Sequence, residues 1–223
     1  MGPYDVNFCF PVKELSNSRV KLTPFIPASH AALFFDASSR HPELYTYLPF
    51  GPFPTVSDFL DTFVEGRIHS NPTSVLFAIF NTQDTQEQQL AGIIGYQAAS
   101  IANLSAELGF VIVLPEFQRT HVTRTAIGLL LRYALDLPSS GGLGLRRVQW
   151  QAHSENQASI RAAQRLGFRV EAICRWERVL RDDKKGKYGR CGQIGRDSVM
   201  LGICWDDWED SARVAVKAIL TET

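Results

Sequence analysis

Apolar residues recur along this chain with two periods, and the changes of period lay out the elements. Pro27 to Arg40 carries Ala32, Leu33, Phe35 and Ala37 on one side, with Pro27 suited to a first helical turn. Leu44 to Pro54 holds three prolines, a glycine and four aromatics, which excludes a regular helix and predicts a rigid loop lying over a surface. Thr55 or Ser57 can cap a second helix, whose apolar face is Phe59, Leu60, Phe63, Val64 and Ile68. Strand-length apolar runs follow at Val75–Phe80, Leu90–Ala99 and Ser105–Leu114. A polar hairpin loop lies at 81–89, and Gly92 and Gly95 are bulge candidates. Helical spacing returns from Arg124 to Leu137 through Ile127, Leu130, Leu131, Ala134 and Leu135, and ends at Pro138 and a Ser/Gly run.

The rest alternates. A strand at Arg147–His153 precedes a helix at Glu155–Leu166, for which Gly167 is a left-handed C-terminal cap. Phe168–Leu180 reads as a long strand. Residues 181–196, basic and glycine-rich, read as a mobile, solvated hairpin loop. Ser198–Cys204 is the last strand, and Trp205–Leu220 a terminal helix. There are no internal repeats. The pattern predicts one mixed α/β domain, class α+β, around a central sheet over residues 1–223, with its core at about 20–210.

Composition narrows the function by exclusion. The chain has 223 residues, a formal net charge of zero, 45% hydrophobic and 21% charged residues. No global field would recruit nucleic acid or an anionic membrane. No apolar run approaches the ~20 residues needed to span a bilayer, and residues 1–15 lack the basic start and apolar core of a secretory signal. Asn103-Leu-Ser105 matches a glycosylation sequon but reads as a polar turn. The widely spaced Cys9, Cys174, Cys191 and Cys204 include no Cys-x-x-Cys pair, so a zinc site is not expected. Cys174 and Cys204 read as small buried hydrophobes of a cytoplasmic protein.

Candidate chemistry gathers between Glu107 and Phe168. The loop Gln118, Arg119, Thr120, His121, Val122, Thr123, ahead of a helix opening at Arg124, offers outward N–H groups, a favourable helix dipole, hydroxyls and two guanidinium groups, which together suit a pyrophosphate. An ordinary N-cap by Thr123 with solvated arginines reads as well. Asn156 and Ser159 lie one helical turn apart and so share a face. The first can pair with an amide-bearing chain and the second can donate to a leaving group, or both are a polar helix face. Glu107 opens an otherwise apolar strand. It is either a general base with a burial-raised pKa or a solvated strand-end charge. His121 and His153 lack metal-ligand spacing and read as structural or exposed.

These stretches together resemble the GNAT superfamily of acyl-CoA-dependent N-acyltransferases, and within it the branch related to RimJ and RimL. The likeness is carried by Tyr45–Phe53, by Glu107-Leu-Gly109 followed by Pro115–Thr123, by Asn156–Ser159 with Arg165–Phe168, and by Arg196–Gly202 with Trp208. The chain departs from the branch where His121 and Thr123 replace small residues, where Arg124-Thr125 replaces Glu-Ala, and where 181–196 looks like an insertion. The resemblance implies a mostly antiparallel twisted sheet splayed at two parallel strands, with helices on both faces. It implies acetyl-CoA in the splay, its pantetheine paired with the backbone of Val111, Ile112 and Val113, its pyrophosphate on the 118–124 amides, and Asn156 on the pantetheine. Glu107 would take the proton of the attacking amine, directly or through water, and Ser159 would protonate or solvate the leaving thiolate. No covalent acyl-enzyme is implied. The acceptor, entering over Tyr47, Phe50 and Phe53, is expected to be a small or moderately apolar primary amine between walls with few fixed charges. A protein N-terminal or lysine acetyltransferase, or a non-catalytic CoA-binding module, are the alternatives; a monomer or homodimer fits either.

Overall fold

The computed structural model describes residues 4–83 and 88–222. Its strands are β1 (Leu15–Ser16), β2 (Val20–Pro24), β3 (Val75–Asn81), β4 (Gln89–Ser100), β5 (Ser105–Val113), β6 (Arg147–His153), β7 (Arg169–Leu180), β8 (Lys187–Tyr188) and β9 (Ile194–Cys204). They form one sheet in the order β1-β2-β3-β4-β5-β6-β9-β7, with β8 on β9. Among the described residues, only β5 and β6 pair in parallel. The helices are α1 (Pro27–Ser38), α2 (Val56–Asp58 running on as a π-helical Phe59–His69), α3 (His121–Leu135), α4 (Gln157–Gln164) and α5 (Trp205–Asp207, Trp208–Ala212 and Arg213–Thr221 in succession). This is the mixed fold expected from the alternating periods. None of the described helices is long and apolar enough to cross a membrane.

The strand alternation sorts side chains into two cores, one on each face. Val75, Phe77 and Ile79 of β3 meet Ile127, Leu130 and Leu131 of α3 and Trp208 and Val216 of α5. Leu76 and Ala78 turn the other way, onto Phe34 of α1, Phe59 and Phe63 of α2, and Tyr45 and Phe50 of the aromatic segment. Strict alternation would send Phe110 to the α3 face with Ala106 and Leu108. It lies on the α1/α2 face instead. Between the pairs Ile93↔Ile112 and Gly95↔Gly109 the register shifts by one residue, and Phe110 takes φ +57°. An extra residue in one strand of an antiparallel pair flips the side-chain sequence and bends that strand. Gly95 does flank this bulge. A second register shift lies between Ile79 and Phe80, opposite Gly92.

Several boundaries moved. Strands β1 and β2 cover a stretch for which no element was expected, and only the sheet edge decides their pairing. The polar hairpin loop at 81–89 lies partly outside the described residues. α3 begins at His121 rather than Arg124. The hairpin at 181–196 is more built than a solvated loop, because β9 starts at Ile194 and β8 pairs with it. Lys184 and Arg196 are buried. Cys174 and Cys204 are half-buried rather than buried, and all four thiols are free.

Candidate active site

β5 and β6 pair only from Ser105↔Arg147 to Leu108↔Trp150, although β5 runs on to Val113 and β6 to His153. The Phe110 bulge begins two residues past the last pair, so the two strands separate and leave an edge of β5 without a strand partner. A cavity of about 1100 Å³ fills this opening. It is lined along β5 from Glu107 to Val113, along the loop before α3 by Gln118 to Thr120, and along α4 by Asn156 and Ser159. An open strand edge can take an extended amide-bearing chain as an added strand.

The loop after β5 is organised for the cavity. Thr120, not Thr123, is the N-cap of α3: its hydroxyl accepts from Val122 N–H at 3.2 Å and donates to the Phe117 carbonyl at 2.7 Å. Arg119 reaches this turn through a left-handed φ of +62°. Thr123 therefore sits in the first turn, where N–H groups have no intrahelical acceptor, and Arg124 opens the hydrogen-bonded helix. Three residues are more engaged than their sequence suggests. Gln118 donates from Nε2 to the Val113 carbonyl at 3.0 Å, which leaves Val111 and Ile112 as the free part of the edge. Arg124 pairs with Glu222 at 2.6 Å, so its charge is partly spent. His121 Nε2 lies 3.1 Å from Asn81 Oδ1.

On the opposite wall, Asn156 is the N-cap of α4 rather than a residue within it, its Oδ1 accepting from Ser159 N–H at 3.1 Å. Its amide nitrogen remains a donor. Trp150 Nε1 donates to Ser159 Oγ at 3.0 Å. With that lone pair used, the serine hydroxyl hydrogen is free to point into the cleft.

Glu107 is not a solvated strand-end charge; it is 3% exposed and faces the cavity. Burial raises its pKa, opposed by the hydrogen bond from Gln97 and by Arg178. Gln97 Nε2 donates to Glu107 Oε1 at 2.6 Å. Gly109 makes this contact possible: a Cβ there would stand 2.8 Å from Gln97 Nε2.

Beyond Glu107 the sheet presents polar residues to the α1/α2 layer. Gln151 and His153 of β6, Arg178 of β7 and Arg196 of β9 line this end with Arg67 of α2. Sequence reading passed over all but His153. The signal was there in β6, where Gln149, Gln151 and His153 alternate with the buried Val148, Trp150 and Ala152. Nothing local, however, said that the polar face would be covered. The expectation of walls with few fixed charges fails here, because three guanidinium groups line them. His153 Nδ1 accepts from Glu155 N–H at 3.0 Å, and burial, then Arg196, lower its pKa.

The lid over this end is the aromatic segment. Tyr47 lines the cavity with its ring 5.3 Å from His153. The Phe50 ring lies tilted against Phe63 with centroids 4.5 Å apart. Phe53 does not line the cavity; it turns into the core against Tyr45, Phe59 and Phe63, since the chain reverses at Gly51. A Cβ at Gly51, where φ is +57°, would stand 2.3 Å from the Tyr45 ring. The 181–196 hairpin ties this segment down. Lys184 Nζ donates to the carbonyls of Tyr45 and Phe50 at 2.8 and 3.2 Å, and Arg196 Nη1 to the Tyr47 carbonyl at 2.6 Å. An irregular segment has carbonyls that no strand satisfies, and buried cations supply the donors. The cluster Cys204, Asp206 and Asp207 brings three ligand-type groups together. Asp207 Oδ2 accepts from Cys204 N–H in a capping box, and Oδ1 pairs with Arg169, which accounts for it.

Residues 19–169 match the family model described as acetyltransferase (GNAT) domain. The chain belongs to this family. A GCN5-related N-acetyltransferase from Brucella melitensis superposes on this GNAT chain with a TM-score of 0.77 at 24% identity, covering 94% of this chain and 86% of that one. A Vibrio cholerae spermidine N-acetyltransferase, solved in complex with CoA and spermine, has the same fold at 18% identity and a TM-score of 0.64. That superposition covers 87% of this GNAT chain and 100% of the other. The uncharacterized N-acetyltransferase YoaA of Bacillus subtilis is 31% identical over 93 residues, which is 42% of this chain and 48% of that protein. The chain thus spans about half the length of the curated relative it matches.

Proposed function

We propose that this chain is an acetyl-CoA-dependent N-acetyltransferase that acts on the primary amine of a small molecule by direct attack. One observation carries the reading: a buried carboxylate, Glu107, faces a cavity whose wall is the open edge of β5 and whose far end is the N-terminus of α3. Acetyl-CoA supplies the activated acetyl group. The backbone of Val111 and Ile112 pairs with the pantetheine, and the N–H groups left open in the turn from Arg119 to Thr123 hold the pyrophosphate. The Asn156 amide nitrogen donates to the pantetheine. Within this cleft a β5 N–H polarises the thioester carbonyl, and much of the rate comes from holding amine and thioester in register. Glu107 takes the proton as the amine nitrogen bonds to the acetyl carbon and the carbon–sulfur bond breaks. Ser159 donates its free hydroxyl hydrogen to the departing sulfur. The CoA in the Vibrio cholerae relative supports the choice of cofactor.

The same reading assigns the chain to the RimJ/RimL-related branch, on the segment Tyr45–Phe53 and its position over the cavity. The test is calorimetric titration of acetyl-CoA into wild type and Asn156→Ala, followed by a CoA-release assay. Binding that weakens in the variant, with turnover of an amine, supports the assignment. Binding without turnover of any amine would leave a CoA-binding module, and no binding would end the proposal.

A further inference from the structure

The Glu107 end of the cavity holds a charge arrangement that its fold does not use. Arg67, Arg178 and Arg196 line it together, and Glu107 is the buried carboxylate among them. Among the described residues, none of the three guanidinium groups has a carboxylate within the 4.0 Å of an ion pair. Arg147, Arg169 and Arg213 hold partners at 2.5, 2.7 and 2.8 Å. Arg196 is 5% exposed; its Nη1 is spent on the Tyr47 carbonyl, and its Nε has no partner. Arg178 gives Nη2 to Gln151 Oε1 at 3.0 Å, and its buried Nε is likewise unpartnered. Arg67 lies 5.2 Å over the Phe50 ring. It comes from the π-helical part of α2, where Ser70 N–H bonds to Glu65 O; such stretches recur at functional sites.

Burying like charges together is costly unless something opposite joins them. The cost is visible here: burial, then Arg178, lower Arg196 to about 10, and the same two causes lower Arg67. Glu107 and the exposed Glu177 offset only part of the three positive charges. The planar guanidinium fork is the side chain best matched to carboxylate and phosphate oxygens.

We infer that the acceptor is an anionic amine, whose amino group meets Glu107 and whose oxyanion group, a carboxylate or a phosphate, is taken by Arg67, Arg178 and Arg196. This rests on the acetyltransferase reading above. It opposes a polyamine acceptor, because a polycation would face three like charges at the site meant to hold it.

The experiment is a CoA-release assay on the full chain with matched acceptors, after calorimetry has shown acetyl-CoA binding. L-phenylalanine is set against L-phenylalaninamide and phenethylamine, L-glutamate against L-glutamine, O-phosphoethanolamine against ethanolamine, and spermidine is added. The acidic member of at least one pair is expected to have kcat/KM higher by about 10- to 100-fold, the size of one charge-assisted contact; which pair responds tells carboxylate from phosphate. Arg67→Gln and Arg178→Gln should reduce that preference at least tenfold and leave acetyl-CoA affinity unchanged. Neutral amines or spermidine matching the acidic members would overturn the inference while the transferase reading stood. No turnover of any amine would overturn both. If the arginine variants fail to fold, the wild-type comparison still decides.

Discussion

Replacing Glu107 by glutamine separates the roles this structure gives to one buried carboxyl. Glutamine keeps the shape and can still accept the hydrogen bond that Gln97 donates at 2.6 Å, so the cavity should persist. What disappears is the group that takes the amine's proton. A positioned general base contributes roughly 100- to 10,000-fold, so kcat should fall by that factor, about 3 to 5 kcal/mol of transition-state stabilisation. The acetyl-CoA dissociation constant should not move. The pH dependence gives a second readout. Burial holds the Glu107 pKa above its ordinary value. The wild-type rate should therefore rise with pH through that raised pKa, as the base ionises, and then level. The variant should keep only the limb set by the acceptor's own amine. Stability moves the opposite way. A pKa raised by folding means a contribution that is full below the unfolded pKa and is lost as pH rises through the folded one. At neutral pH and above, Glu107→Gln should accordingly raise the melting temperature relative to wild type. The assay is CoA release against pH, with thermal melts in the same buffers. A kcat within about threefold of wild type, where a base should be worth at least 100-fold, would refute the reasoning; so would an unchanged lower limb.

Gly109→Ala brings a Cβ to 2.8 Å from Gln97 Nε2, the far end of a flexible side chain. Gln97 should swing off Glu107, lowering kcat by about tenfold, the scale of one charged hydrogen bond, with the melting temperature nearly unchanged; steady-state kinetics and a melt check both. Lys184→Met removes both donors to the Tyr45 and Phe50 carbonyls. It should cost about 1 to 3 kcal/mol in urea unfolding and raise the acceptor KM without weakening acetyl-CoA binding. Gly51→Ala must fit a Cβ 2.3 Å from the Tyr45 ring at φ +57°, and urea unfolding should register a loss of about 1 to 3 kcal/mol.

Periodicity carries information only about neighbours along the chain, and that was enough for much of this protein. The 3.6-residue spacing of Ile127, Leu130 and Leu131 determined α3 and its buried face, and the unbroken apolar run at 75–80 determined a strand, which packs on both faces. The junction from β5 to α3 was legible because a loop of N–H groups before a helix is a local feature. Its cap was misread by three residues because Thr120 and Thr123 are chemically equivalent in sequence. Only the left-handed turn at Arg119 chooses between them. The direction of Phe110 was beyond the sequence, since strict alternation predicts the wrong face and a bulge shows only in the register of the partner strand. The same bulge parts β5 from β6 and makes the cavity. Glu107 read either as a solvated strand-end charge or as a buried base, and Gln97 and the covering aromatic segment decided it. Arg178 and Arg196 are cross-strand partners on β7 and β9, and Arg67 comes from α2, far back in the chain. A charge on an isolated strand or helix looks solvated, and only the packing of α2, β7 and β9 around one space brings one buried and two half-buried guanidinium groups together.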